Sequence, residues 1–394
     1  MMRNNFFRSY WFWHCGEGFQ TILMMWYMTF HARLSASEIG FYQALQLAPF
    51  LAFAALGGRL TDRIGARVSF AASTGGFALG LALYGTAEHV MGFSPWLFAA
   101  YCLLSGLLSA ISNPAIDTFI PDATPRPATR NALIAATVHN TAKLSGNAAT
   151  LLLPFLSALG GFVANGLLMA GSVFFLLRHP RPAARPLVPV TRLAATLPHL
   201  RAHFRAHPAS FDILLASAAL GLFLIPGFYI FQPLSLRTWF PEHAGLMGLV
   251  GVIGWIAAIL ASGLAARWAA RIARPGRLAL VVWAAVGASF IALTVAPNLA
   301  ALLGIFFFAG INGLGKALVY GHFLRDAPET DRGLLIGIDQ TAYWGLATLG
   351  TLGLGVLVDQ IGLTGAILAN STAFLCLVLV LALRGRIGSL QAGA

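Results

Sequence analysis

The side chains able to do chemistry in this sequence are the few ionisable ones that fall inside long apolar runs. Glu17 lies within the run from about residue 6 to 30, with Trp13 and Gln20 on its helical face. An ionised group at the centre of a hydrocarbon layer costs roughly 2.5 kcal/mol or more, so it needs a partner or a task. A carboxylate there can load and release a proton, or it can serve as a structural hydrogen-bonding acid. The chain has two lysines, Lys143 and Lys316, and both interrupt apolar runs, while every other basic residue is arginine. Lysine presents a compact charge to an anion and loses its proton more readily than arginine when desolvated. His139 shares a face with Lys143 at i, i+4, and Asn312 and Tyr320 flank Lys316 at the same spacing. Asp339 and Gln340, with Tyr343 a turn further on, form another polar stripe, and Asn113 with Asp117 a weaker one.

Two readings of these stripes stand side by side. They line a cavity in which Lys143, Lys316, His139, Asn312, Gln20, Trp13, Tyr343, Gln340 and Asn113 bind a small anionic or amphipathic molecule while Glu17 and Asp339 carry protons. Alternatively, Glu17 with Lys143 and Asp339 with Lys316 are ion pairs that hold helices together. Both can hold, because a pair broken by a substrate or a proton is a switch.

His14, Tyr229 and Gln232 are lesser candidates. Asp212, near the end of an apolar run, reads as solvated. His199, His203 and His207 fall on one helical face, but no thiolate or carboxylate stands beside them, so no metal site is expected. Cys15, Cys102 and Cys376 are far apart, without metal-ligand spacing, and read as small core residues; neither a disulfide nor a cofactor is implied. His14 with Glu17 and His139 with Lys143 are the pairs at contact spacing, and neither resembles an acyl- or phosphotransfer arrangement. A membrane-embedded enzyme is therefore the weaker alternative.

The elements that must position these residues are long helices. Of 394 residues, 58% are hydrophobic and 10% charged, and the mean hydropathy is +0.76, against roughly 25% charged in a soluble domain. Twelve apolar runs, from 6–30 to 362–383, can each span a hydrocarbon core of about 30 Å. No run alternates polar and apolar residues as a membrane barrel requires. The expected fold is all-α, with about twelve transmembrane helices in two pseudo-symmetric six-helix halves, residues 1–177 and 208–394, joined by a basic linker, 178–207. The halves share a short repeat: "PDATPRPATRNALIAA" and "RDAPETDRGLLIGI" each place an Asp-Ala, a Pro and an Arg before an apolar run. The net charge of +12 comes from arginines gathered at the ends and in alternate loops, which is the positive-inside pattern with both termini in the cytoplasm. That distribution argues against a nucleic-acid partner. The first apolar run lacks a cleavage pattern and is expected to stay as an anchor.

Between the second and third runs the chain reads "GGRLTDRIGARV". Gly58, Leu60, Asp62, Arg63, Gly65 and Arg67 resemble, position by position, the G-x-L-x-D-R-x-G-R signature of the major facilitator superfamily. In that resemblance Gly58, Asp62, Arg63, Gly65 and Arg67 form a cytoplasmic gate, with Asp117 as the carboxylate their arginines reach. The opening "FFRSYWFWHCGEGFQ" and the stretch "NALIAATVHNTAKLSGNAA" are similar to the enterobactin exporter and macrolide efflux group, although Gly146-Asn147 stands where that group has Gly-Pro. The resemblance implies a monomeric carrier in a bacterial inner membrane, working by alternating access on a small-molecule substrate and protons. Efflux is the first expectation for its direction and proton-coupled uptake of an anionic metabolite the alternative.

Overall fold

The computed structural model describes residues 4–180, 193–268, 271–296, 298–326 and 332–391, without the side chains of 52–63, 122, 128–129, 193–199, 244 and 332–334. Among these residues every regular element is helical. In chain order they are α1 (Asn5–Trp26), α2 (Ala36–Ile64), α3 (Ala66–Met91), α4 (Pro95–Asp117), α5 (Ala128–Ala149), α6 (Ala158–Leu177), α7 (Leu193–Ala206), α8 (Pro208–Ala219), α9 (Ile225–Trp239), α10 (Met247–Trp268), α11 (Pro275–Ala292), α12 (Leu299–Gly310), α13 (Asn312–Asp326), α14 (Arg332–Gln340) and α15 (Leu346–Arg384). A π turn, Leu220–Leu224, joins α8 to α9 into one crossing, and another, Thr341–Gly345, joins α14 to α15. The long α15 turns sharply at Gly362, whose φ of 76° suits glycine, so α14 and α15 supply two crossings.

Hydrocarbon explains which faces are buried. Trp96, Phe155, Leu383 and Val90 are largely exposed, while Asn165, Ser172, Asp212 and Asp339 are fully buried. In water so much exposed apolar surface would drive aggregation; in lipid it is the solvated side. Among the described residues eight helical spans are long and apolar enough to cross a membrane on length and composition alone, three of them joining two of these helices: α8 with α9, α12 with α13, and α14 with α15. The first and fifth helices miss that standard, and they carry the polar residues Glu17, His139 and Lys143.

The chain divides into two compact units. One holds Met1–Arg185 with Gln232–Trp255, the other Pro186–Phe231 with Ile256–Ala394. In the first unit α1 packs on α5 and α6, α2 on α4, and α3 on α4 and α6. Its added segment sets Pro241–Leu246 against Thr150–Phe155, and Arg237 donates to the carbonyls of Leu34 at 2.6 Å and Thr29 at 3.4 Å. In the second unit α11 packs on α12, α13 and α15, and α8 on α13 and α15.

Three expectations need correction. The "GGRLTDRIG" motif, set between the second and third runs, does not lie between the helices: α2 stays helical through Asp62 and Arg63 to Ile64, and a single residue, Gly65 at φ 87°, makes the turn into α3. The side chains of Asp62 and Arg63 lie outside those described. Asp212 is fully buried, because Arg384 grips it through Nε at 3.0 and 3.1 Å and Nη2 at 2.8 Å, with Arg386 at 3.5 Å. A buried charge is tolerated when bidentate partners replace its water. Cys15 and Cys102 are core residues, but Cys376 is exposed on the outer side of α15. The extended part of the expected linker, 181–192, lies outside the described residues, and its basic amphipathic part is α7.

Candidate functional site

Each unit holds one lysine–carboxylate pair inside its helices. In the first unit small residues bring the partners together. A Cβ on Gly146 would collide with the Cys15 carbonyl, and one on Gly18 would press on the Lys143 backbone, so α1 and α5 can cross at backbone distance only with glycine at both positions. Asn147 ties the crossing, donating to the carbonyls of Lys143 at 2.8 Å and Gly18 at 3.4 Å. That approach sets Lys143 Nζ 3.1 Å from Glu17 Oε2. The same oxygen lies 2.7 Å from His14 Nδ1. The His14 ring meets the His139 ring edge-on at 4.2 Å, and His139 meets Trp255 at 6.0 Å. The pair is not sealed: the Lys143 and Glu17 side chains keep 16% and 18% of their exposure.

The second pair is drier. Lys316 Nζ stands 2.9 Å from Asp339 Oδ2, and Asp339 is fully buried. Ser217 donates its hydroxyl to the other carboxylate oxygen. The Lys316 ammonium also lies over the Tyr343 ring at 4.2 Å and near the Tyr320 ring at 5.6 Å, an aromatic cradle for a cation. Gly221 lets the π turn of residues 220–224 press against the Tyr343 carbonyl, which brings α8 and its Ser217 close to Asp339. π turns of this kind recur at functional positions in helices.

The other candidate residues are placed as follows. Trp13 is fully buried and donates from Nε1 to Asn113 at 3.0 Å. Gln20 is buried between Tyr101, to which it donates at 2.9 Å, and Asn165, from which it accepts at 2.6 Å. Asn312 opens α13 and donates to the Ala309 carbonyl at 3.2 Å. Gln340 is exposed. Asp117 is not brought to Arg67: it lies beside Tyr10 of α1. Arg67, in the first turn of α3, instead donates to the His179 carbonyl at 2.7 Å and to that of Leu177, closing the carbonyl end of α6. His179, just beyond α6, is held below the ordinary imidazole range, first by burial and then by the Arg67 charge.

Long apolar helices, paired intramembrane charges and the Gly-bounded α2–α3 turn now stand together. Residues 9–315 match the family model of the Major Facilitator Superfamily. The chain belongs to this superfamily. No curated protein sequence matches it. Among solved structures, the nucleoside transporter NupG aligns with a TM-score of 0.76 at 13% identity, covering 98% of this chain and 99% of its own. The peptide transporter POT in complex with sulfate aligns at 0.74 and 16% identity, covering 99% and 95%. The xylose transporter XylE from E. coli, in an inward open conformation, aligns at 0.70 and 14% identity, covering 99% and 96%. At these identities the likeness establishes the fold, and the superfamily assignment makes the chain a multi-pass membrane transporter.

Several residues of the candidate site escape a reading by sequence spacing. Tyr101 and Asn165 reach Gln20 from α4 and α6, and Asn165 carried a usable signal as a lone amide in an apolar run. Ser217 and Trp255 carried none, because a serine or tryptophan in such a run is ordinary.

Proposed function

We propose that this superfamily member is a proton-coupled carrier of a small anionic or amphipathic molecule, with Glu17 as the proton site and Lys143 as the anion-binding cation. The observation that carries the reading is the shared oxygen: one Glu17 carboxylate serves both Lys143 and His14 in a partly accessible position. A substrate anion that takes the Lys143 ammonium deprives Glu17 of its counter-ion, and a bare carboxylate in a helix bundle then favours its protonated form. Proton and anion thus bind together. Asp339 and Lys316 offer a second, drier copy of the same exchange.

Co-binding is the logic of symport, so geometry favours proton-coupled uptake. The second reading is efflux by antiport, supported by the resemblance of residues 6–20 to the enterobactin exporter and macrolide efflux group. It suits a cationic or neutral amphipathic substrate that competes with the proton for Glu17. In both readings the carrier works by alternating access as a monomer in a bacterial inner membrane. Both termini then lie in the cytoplasm, with the α2–α3 turn, Arg67 and Asp117 on the gate side.

The deciding experiment follows proton movement on purified protein in weakly buffered detergent as carboxylates, siderophores and cationic drugs are titrated, beside Glu17→Gln and Lys143→Ala. Proton uptake with an anion, lost in Glu17→Gln, supports co-binding. Proton release supports antiport and overturns it. A ligand that moves no protons, or moves them unchanged in Glu17→Gln, removes Glu17 as the coupling site.

A further inference from the structure

The second unit carries a basic cavity, remote in sequence from both lysine–carboxylate pairs, that the transport reading does not use. Its volume is about 530 Å³, and Arg274, Arg277, Leu280, Val281, Ser389 and Gln391 are among the residues lining it. Arg274 caps the start of α11 and Arg277 lies in its first turn, while Ser389 and Gln391 follow the end of α15. The cavity therefore opens where two membrane-crossing helices end, at the level of lipid headgroups.

The wall formed by the C-terminal segment is built, not a loose tail. Gly385, at φ 69°, ends α15, and the chain then folds back through hydrogen bonds from Ser389 N to Gly385 O at 3.0 Å and Leu390 N to Ile387 O at 3.1 Å. Ile387 is fully buried, and its carbonyl packs so closely on Gly276 that a Cβ there would collide. Arg384 and Arg386 are committed to Asp212. Arg274 and Arg277, by contrast, form no ion pair with a carboxylate among the described residues, and both are exposed. Two guanidiniums with no carboxylate partner among the described residues, beside a glutamine amide, make an anion site with the fork geometry that suits phosphate, while the Ser389 hydroxyl donates to the Arg386 carbonyl at 2.9 Å and fixes that wall. On one side the lining turns apolar. Leu280 is almost buried, and Val281, 63% exposed, continues into the lipid-facing surface of α11.

We propose that this cavity binds the phosphate of an anionic phospholipid, with its acyl chains lying along Val281 and the adjoining apolar face. A basic pocket at helix ends with one apolar wall fits an amphipathic anion better than a free one.

The test uses the full-length protein in nanodiscs of phosphatidylcholine with increasing phosphatidylglycerol, reading lipid retained on release into native mass spectrometry. The wild type should retain phosphatidylglycerol preferentially, and Arg274→Ala/Arg277→Ala should weaken that retention roughly 30-fold, at about a tenfold factor per 1.4 kcal/mol and about 1 kcal/mol for each arginine near a lipid surface. Ser389→Glu, which places a carboxylate in the cavity while keeping both arginines, should also expel the lipid. Arg267→Ala/Arg271→Ala, in the same basic stretch but outside the lining, should leave retention unchanged. Equal loss in both double variants would show diffuse attraction and overturn the site. Displacement of phosphatidylglycerol by millimolar inorganic phosphate, or the same thermal stabilisation by phosphate alone, would make it a free-phosphate site and overturn the lipid.

Discussion

Glu17 Oε2 lies 3.1 Å from Lys143 Nζ and 2.7 Å from His14 Nδ1, so a single carboxylate oxygen on α1 neutralises a cation on α5 and orients an imidazole on its own helix. Glu17→Gln preserves the size and a hydrogen-bonding oxygen but removes the charge. Ligand-driven proton movement should disappear, while stability falls by only about 1–3 kcal/mol, since Lys143 retains access to solvent. Thermal unfolding in detergent beside the proton assay checks both halves; a variant that still moves protons sinks the assignment.

Lys316 and Asp339 should behave differently, because Asp339 has no exposure at all. Lys316→Ala strands a buried carboxylate and should cost about 3–5 kcal/mol, whereas Lys316→Met with Asp339→Leu should recover most of that loss. Denaturation midpoints of the three proteins decide it. If the double variant is no more stable than the single, the pair is not the source of the cost.

Gly146→Leu should force α1 away from α5, since the added side chain meets the Cys15 carbonyl. Loss of the crossing separates Glu17 from Lys143, so the expected outcome is low yield or a melting temperature reduced by more than Glu17→Gln alone causes. A Gly146→Leu protein with wild-type melting would show that the helices do not touch there.

Arg384→Ala/Arg386→Ala leaves Asp212 buried without its partners and should destabilise the second unit by about 3 kcal/mol, with little rescue from salt because the stranded carboxylate is buried. Melting curves at low and high ionic strength measure it. A surface pair would instead cost under about 1 kcal/mol and fade in salt.

His179 supplies an acid-sensitive contact. Its folded value lies below the ordinary imidazole value of about 6.5, through burial and the Arg67 charge, so the unfolded chain binds the proton more readily. Stability contributed there is present above about pH 6.5 and is lost as pH falls through that value toward the folded one. His179→Gln should therefore flatten part of the decline in melting temperature between about pH 7 and about pH 5. An unchanged acid limb would assign the decline to other groups.

Amino-acid order alone determined the solvent, the crossings and the residues under strain. A charge in hydrocarbon is costly wherever the chain goes, so Glu17, Lys143, Lys316 and Asp339 stand out from their neighbours in sequence without any fold. The α2–α3 signature was equally legible, because Gly65 answers a local backbone requirement. Tertiary structure decided the partnerships. Glu17 meets Lys143 because glycines on two distant helices allow a backbone crossing, and Asp212 is dry because arginines from the far end of the chain replace its water. Asp117 lies beside Tyr10, and Arg67 turns to the end of α6, through contacts that helical spacing within one element cannot encode. The cost of burying a charge is a property of one residue and can be read along the chain; the group that offsets it is a property of how helices pack.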